Sequence, residues 1–467
     1  MLQSLEFYLM RAVFSLKSVL ALLLTPIILI SGVSASVMYL AGDDAIIATK
    51  REYVYSNDRL LLGGYNDRLL EDYSNLACLA KEAGLDFLVT QVNEEFLDQC
   101  YSAGIGVIAS HYNAASAYYT ISENTEAQWM SMSAVTHKAH PALWSDYLID
   151  EPCSQELGKI NRILDHYYSL NTGLMPYVNL FPIYANEEQL GTSPQLGWKQ
   201  YLLPWTTYGD GQFDKYRQHA ADYIKTVDTD YISFDVYPYK VFGTNDNWLH
   251  NLDILAGACR DTKRDLWVIT QAAGNEVYGD GGTSQRWCGK TSDQLQQGYA
   301  ALAFGAKAVI YGCFQTGWWD PQSHMVDPNG EPTDTYYAVQ AANADFALFA
   351  EVYGAYQWLG AYTLNSRKAA GLRYELSNGL AKKERLDVIS CDGLLVGCFD
   401  AKEHEGKAYI ITNMAELLMD QSASCCISFP KGKTVTVYGG GEVKTFADGG
   451  KVELKLGPGD GRFITAE

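Results

Sequence analysis

Positive charge is what this sequence is short of. Lys and Arg number 35 against 55 Asp and Glu, a formal net charge of −20. Nucleic acid and anionic membranes both demand basic patches, so neither is expected as a partner. A neutral substrate is compatible with this balance. Cysteine is also sparse, ten in 467 residues. No C-x-x-C pair occurs, which argues against a zinc or redox motif. The adjacent Cys425 and Cys426 sit in a strand-like run and would point to opposite faces. If the chain is exported, one or two disulfides are open to it, with a pairing that spacing does not decide. No metal or organic cofactor is indicated. What the chain has in quantity is aromatic: 33 Tyr and 10 Trp. Such rings suit stacking against sugar faces as well as ordinary packing. Hydrophobic content of 48% and charged content of 19% mark a globular protein.

The N-terminus reads as a targeting segment. Arg11 and Lys17 precede an apolar run from Val19 to Ile30, and Val33-Ser34-Ala35 offers a cleavage site. Residues 1–36 are therefore expected to be a signal peptide, and the protein to be secreted or held at the cell surface. The apolar character continues through Val37-Met38-Tyr39-Leu40, long enough to span a bilayer if uncleaved. An uncleaved anchor is the alternative. No cysteine follows the small residues, so a lipoprotein has no support.

From Leu60 the chain alternates apolar strands with helical periodicity. The expected strands are Leu60–Tyr65, Leu85–Thr90, Ile105–Ser110, Trp144–Ile149, Leu174–Leu180, Tyr231–Val236, Leu266–Thr270 and Ala308–Cys313. Helices are expected over Leu69–Ala83, Glu94–Ala103, Glu123–His140, Gln155–Leu170, Phe213–Val227, Trp248–Arg260, Asp293–Gly305 and Thr335–Tyr353. Eight such units, with strands apolar throughout, predict a (β/α)8 TIM barrel over residues 37–358. An open doubly wound sheet is the rival, but it would not predict polar and aromatic residues at so many strand ends. After Gly360 the texture turns to short alternating runs between glycine-rich turns, predicting an all-β sandwich over 359–467.

The stretch that organises the chemistry is Asp146-Tyr147-Leu148-Ile149-Asp150-Glu151-Pro152. Two adjacent carboxylates end an apolar strand, and a strand interior would be a costly place for them. At the carboxyl ends of barrel strands they face the ligand crevice. Pro152 then stops the ladder and suits the first turn of a helix. Glu151 is the candidate catalytic acid, its pKa raised by the neighbouring Asp150; the bland alternative is a helix-entry acid. Asp235 at the end of strand six is the second candidate carboxylate, with a loop-anchoring role as its alternative. Asp150 is as well explained by packing or capping. Candidate substrate contacts at the other strand ends are His111, Asn113, Asn179, Tyr184, Tyr237, Gln271, Trp318 and Trp319. Trp205 joins them from the aromatic insertion Pro182–Gln212, which also carries Trp198. Trp318-Trp319 serve equally as cover for the barrel mouth.

Four segments, Tyr-Leu-Ile-Asp-Glu-Pro, Tyr-Val-Asn-Leu-Phe-Pro, Ile-Ser-Phe-Asp-Val-Tyr-Pro and Ala-Leu-Ala-Phe-Gly-Ala-Lys-Ala-Val-Ile-Tyr, carry a resemblance in that order. The chain resembles secreted bacterial glycoside hydrolases of the β-galactosidase-like barrel class with a C-terminal β-domain. The resemblance implies a carbohydrate substrate, an acid/base Glu at the end of strand four and a nucleophilic Glu at the end of strand seven. Glu151 matches the first. Strand seven here ends in Gln271, and the nearest glutamate is Glu276. Three readings stay open. Asp235 is nucleophile or base; or Asp150 steadies an attacking substrate N-acetyl group, as in hexosaminidase barrels; or the chain is a non-catalytic carbohydrate-binding or cell-surface protein on a degenerate barrel.

Overall fold

The computed structural model describes residues 46, 51–56, 58–110, 137, 139–191, 211–276, 284–365, 369–376, 378–386, 388 and 393–467. The leader, most of the helix expected over Glu123–His140, and His111, Asn113, Trp198 and Trp205 lie outside them.

The first six strands are β1 (Leu61–Tyr65), β2 (Phe87–Thr90), β3 (Gly106–Ser110), β4 (Leu143–Asp150), β5 (Met175–Leu180) and β6 (Tyr231–Asp235). A small hairpin follows, β7 (Tyr239–Lys240) with β8 (Gly243–Thr244), then β9 (Asp265–Gln271) and β10 (Ala306–Gly312). Without the hairpin these eight strands close into a parallel barrel, with β1 paired to both β2 and β10. The helices between them are α1 (Leu76–Glu82), α2 (Glu94–Ala103), α3 (Leu157–Ser169), α4 (Gly211–Thr226), α5 (Trp248–Thr262), α6 (Thr291–Ala303), α7 (Asp334–Ala347) and α8 (Ala350–Gly354).

Local chemistry sets several of these ends. Asn93 caps α2 by accepting the Phe96 amide at 2.8 Å, and Gly104 closes it at φ +69°. The helix expected from Leu69 begins only at Leu76. Asp72 accepts both the amide and the hydroxyl of Ser74, a local turn that competes with the helix. Leu69 and Tyr73 still pack on the core from this irregular stretch. Pro152 likewise does not open a helix directly; a 3-10 turn, Ser154–Glu156, comes first. The helix expected over Thr335–Tyr353 is divided at Phe349, whose buried ring packs 5.1 Å from Phe463.

The barrel interior is filled by rings. Phe87, Trp144, Tyr177, Tyr231 and Trp267 meet there, with Trp267 1% exposed. Glycine makes the room: a Cβ on Gly63 would fall 2.4 Å from the Phe87 ring, and one on Gly106 2.1 Å from Trp144. The buried hydroxyls are bonded, Tyr231 to the Pro176 carbonyl at 2.6 Å and Tyr177 with Ser233 at 2.6 Å. The amino-terminal ends of the strands are sealed by the segment before β1. Tyr55 stacks on Trp144 at 5.0 Å, Tyr53 bonds Asp230 through its hydroxyl, and Arg51 pairs with Asp228 and Asp230.

Beyond the barrel the chain is antiparallel β. Its strands are β11 (Tyr356–Leu364), β12 (Leu394–Ala401), β13 (Lys407–Asn413), β14 (Ala423–Phe429), β15 (Val435–Gly439), β16 (Glu442–Phe446), β17 (Gly450–Leu456) and β18 (Gly461–Ala466). A six-stranded sheet in the order β11-β12-β13-β18-β15-β16 faces the pair β14-β17 across its own apolar core, a β-sandwich-like arrangement. The boundary expected between 358 and 359 falls inside β11. Its alternation was hidden by the aromatic run Tyr356-Gln357-Trp358 at the end of the helical region. Among the described residues, the cysteines other than Cys425 carry free thiols. Cys425 is buried and Cys426 only partly so, on opposite faces of β14 as their adjacency requires.

Candidate active site

A cleft of about 410 Å³ opens at the carboxyl ends of the barrel strands. Eight of the sequence candidates line it: Asp150, Glu151, Asn179, Tyr184, Asp235, Tyr237, Trp318 and Trp319. Tyr65, Tyr147, Ile269 and Gln285 line it as well. The first two were within reach of the sequence. Tyr65 ends β1, and Tyr147 stands three residues before Asp150 on β4. Ile269 and Gln285 carry no chemical signal in isolation.

Asn179 is the hinge of the polar floor. Its amide nitrogen donates to Asp235 Oδ1 at 2.9 Å and to Asp150 Oδ1 at 3.3 Å. Its carbonyl oxygen accepts from Ser233 Oγ at 3.0 Å, which fixes the amide orientation. The Asn179 backbone carbonyl also accepts from the Glu151 amide at 2.8 Å. That bond holds Glu151 just past the end of β4 at φ +49°, a left-handed conformation that side chains adopt at a cost. One asparagine on β5 thus sets the relative positions of all three acids.

The acids differ in their support. Burial raises the Asp150 carboxyl above the usual range, the Tyr147 hydroxyl and the Asn179 amide pull it back, and Asp67 adds a like-charge push. Asp235 is pushed up to about 7, by burial first and Asp150 second, against donors from Asn179, its own backbone and Tyr237. Glu151 is pushed up to about 10, by burial first and then by Asp235 and Asp150, with no donor to offset them. Burial and its two acid neighbours thus hold Glu151 toward its protonated form, while Asp235 has donors that favour its ionised form.

Rings close the other side. Tyr237 lies 4.7 Å from Trp319 and 5.6 Å from Trp318, and Trp318 lies 4.9 Å from Tyr65. The loop bearing the two tryptophans is pinned from both ends. His324 ring nitrogens approach the carbonyls of Gln315 and Trp318 at 2.8 and 2.9 Å. Asn66, next after β1, accepts the amides of Gln315 and Thr316. Trp319 sits at φ +70°, a second strained position at this rim.

Gln271 does not join the cleft. It is fully buried, and its amide is spent on the backbone of Tyr239 and on the Arg286 carbonyl at 2.8 Å. Its position at a strand end suggested exposure to the cleft, but the β7 hairpin folds over it. Glu276 is exposed and accepts the Trp287 amide. Neither residue of the seventh barrel strand's end lines the cleft.

No family model matches the sequence, and no curated protein matches it. Solved structures do share its architecture. One described as a glycoside hydrolase superposes with a TM-score of 0.50 at 10% identity, over 89% of this chain and 96% of that one. A β-galactosidase from Bacillus circulans sp. alkalophilus gives a TM-score of 0.44 at 8% identity, over 88% and 99%. A 4-O-α-L-rhamnosyl-β-D-glucuronidase from Fusarium oxysporum 12S gives 0.42 at 10%, over 90% and 100%. What the first of them establishes here is the fold. The barrel with its C-terminal sheets is one that a glycoside hydrolase uses.

Proposed function

We propose that this protein is a glycosidase that cleaves O-glycosidic bonds of an oligo- or polysaccharide, with Glu151 as general acid. The observation that carries the reading is the placement of Glu151 with Asp235 and Asp150 in one aromatic-walled cleft, where burial and the two neighbouring acids push its carboxyl pKa up. Glu151 gives its proton to the glycosidic oxygen as the C–O bond breaks, and positive charge develops at the anomeric carbon. Asp235 is the second carboxylate. Ionised, it either attacks that carbon or takes a proton from the attacking water. Asp150 steadies the developing charge or, on N-acetylated sugars, the attacking acetamido group. The ring faces of Tyr237, Trp318 and Trp319 suit a sugar plane.

Gln271 favours a second reading. With no carboxylate from strand seven among the described residues that line the cleft, the site also suits a barrel that binds saccharide without cleaving it. Glu151→Gln separates the two. It keeps the side chain's shape and removes the acid. Hydrolysis of an unactivated glycoside should fall by about 10²–10⁴, and that of an aryl glycoside with a good leaving group by much less. Unchanged turnover of both substrates in the variant would end the catalytic assignment.

A further inference from the structure

A second cavity, of about 330 Å³, opens at the other end of the barrel. It lies where the end of α5 and the starts of β9 and β10 meet β11. Arg260, Lys263, Arg264, Lys307 and Lys402 line it, against one carboxylate, Asp265. In a chain of net charge −20 this local excess of the opposite sign calls for a cause. Cations at a helix C-terminus complement its dipole, which accounts for Arg260 and Lys263 at the end of α5. It does not account for Lys307 and Lys402, which come from β10 and from the residue after β12 to meet Arg264, the residue after Lys263.

The committed and the available donors can be told apart. Arg260 is part of the frame, its Nη1 donating to the carbonyls of Leu359 and Asn378 and its Nε to Asp261. Arg264 is 5% exposed, and its Nη2 donates to the carbonyls of Ile46 and Ile224. Its Nε and Nη1 have no hydrogen-bond partner among the described residues and lie behind the cavity wall near the Tyr223 ring, so Arg264 acts on the cavity chiefly through its charge. Leaving such donors unmade forfeits their hydration with nothing in return. The acids whose field reaches it, Asp228 and Asp230, are held by Arg51. Lys263 and Lys402 are exposed and form no ion pair among the described residues.

We propose that this cavity binds a small oxyanion, a phosphate or sulfate group, at the junction of barrel and sheet. Either a free inorganic ion or a sulfate ester on a saccharide supplies that chemistry. The experiment uses the intact protein with inorganic sulfate as probe. Unfolding is followed in sodium sulfate and in sodium chloride at equal ionic strength, and the sulfate Kd is measured by calorimetry. Excluded sulfate stabilises any folded protein without saturating, so saturation and lysine dependence are the readouts. The expected result is a saturable rise in Tm with sulfate. Lys263→Ala with Lys402→Ala should weaken the Kd by about tenfold or more. Arg264→Gln should remove saturable binding; the exposed lysine pair carries the test if the buried arginine is needed for folding. An unsaturating rise, or a Kd unchanged in the double-lysine variant, overturns the proposal. A sulfated monosaccharide that binds more tightly than inorganic sulfate, with the same lysine dependence, makes the sugar-borne group the ligand. Equal or weaker binding makes the free ion the ligand.

Discussion

The two ends of the barrel are built from the same strands to opposite rules. At the amino-terminal ends the segment before β1 is fully engaged: rings stack, hydroxyls bond carbonyls, and Arg51 meets Asp228 and Asp230. At the carboxyl ends the rules are broken together. Three carboxyls crowd one cleft, Glu151 has no donor among the described residues, and Glu151 and Trp319 take positive φ. Strain and raised pKa cost stability and persist only where surrounding structure imposes them. The lower end supplies that surplus through ring packing, and the upper end uses it to hold acids that would otherwise ionise or move apart.

The sharpest way to break this comparison pairs one variant at each end. Trp267 sits among Tyr231 at 5.4 Å, Phe87 at 5.7 Å and Tyr177 at 6.0 Å. Trp267→Ala should cost about 3–5 kcal/mol of stability, read by denaturant unfolding. The folded fraction should keep its turnover per molecule. Glu151→Gln should do the reverse, losing turnover and keeping the fold. If Trp267→Ala also changed the shape of the pH profile of the folded enzyme, the ends would be one coupled unit rather than two.

The pH dependence sharpens the upper end alone. In the proposed mechanism hydrolysis needs Asp235 ionised and Glu151 protonated, so kcat/KM should rise through about pH 7 and fall through about pH 10. In Glu151→Gln acting on an aryl glycoside the basic limb should vanish while the acidic limb stays. Stability follows from the same shift. Glu151 has a folded pKa above its unfolded value, so the folded state holds a proton that the unfolded state has lost between about pH 4.3 and 10. Its contribution is full below the lower value and is lost as pH rises through that window. Glu151→Gln should therefore gain stability relative to wild type as pH rises. A difference in Tm that is flat with pH would mean that burial does not hold the proton on Glu151.

The structure brings together at this end the residues whose chemistry and place in the period agreed in the sequence. Asp150 and Glu151 break an apolar strand, and Asp235 ends another, so a cleft was the economical explanation. The sequence misleads where a residue's destination depends on a loop. Gln271 ends a strand like the others, but the hairpin after β6 covers it, and no periodicity announces a hairpin with two residues a side. Tyr147, three residues before the end of β4, reads as packing until its hydroxyl meets Asp150, and Tyr65 at the end of β1 reads as packing as well. The late start of α1 has the same character: Leu69 and Tyr73 have helical spacing, and the Asp72–Ser74 turn overrides it.

The smallest expected effect tests whether charge or packing seals the lower end. Arg51 pairs through its side chain with Asp228 and Asp230 and lies 3.8 Å over the Tyr168 ring. Its side chain is about a quarter exposed, 23%, so water and salt screen the pairs. In Arg51→Ala the Arg51 backbone amide still donates to Asp230 at 3.1 Å, and the Tyr53 hydroxyl still reaches the same carboxylate at 2.7 Å. Asp230 is thus not stranded, and the loss should be about 1 kcal/mol, shrinking in high salt as ion pairing is screened. Turnover should be unchanged. Thermal unfolding of wild type and variant at two ionic strengths reads the difference. A loss as large as that of Trp267→Ala, and insensitive to salt, would transfer the sealing role from the stacked rings to the arginine and its acids.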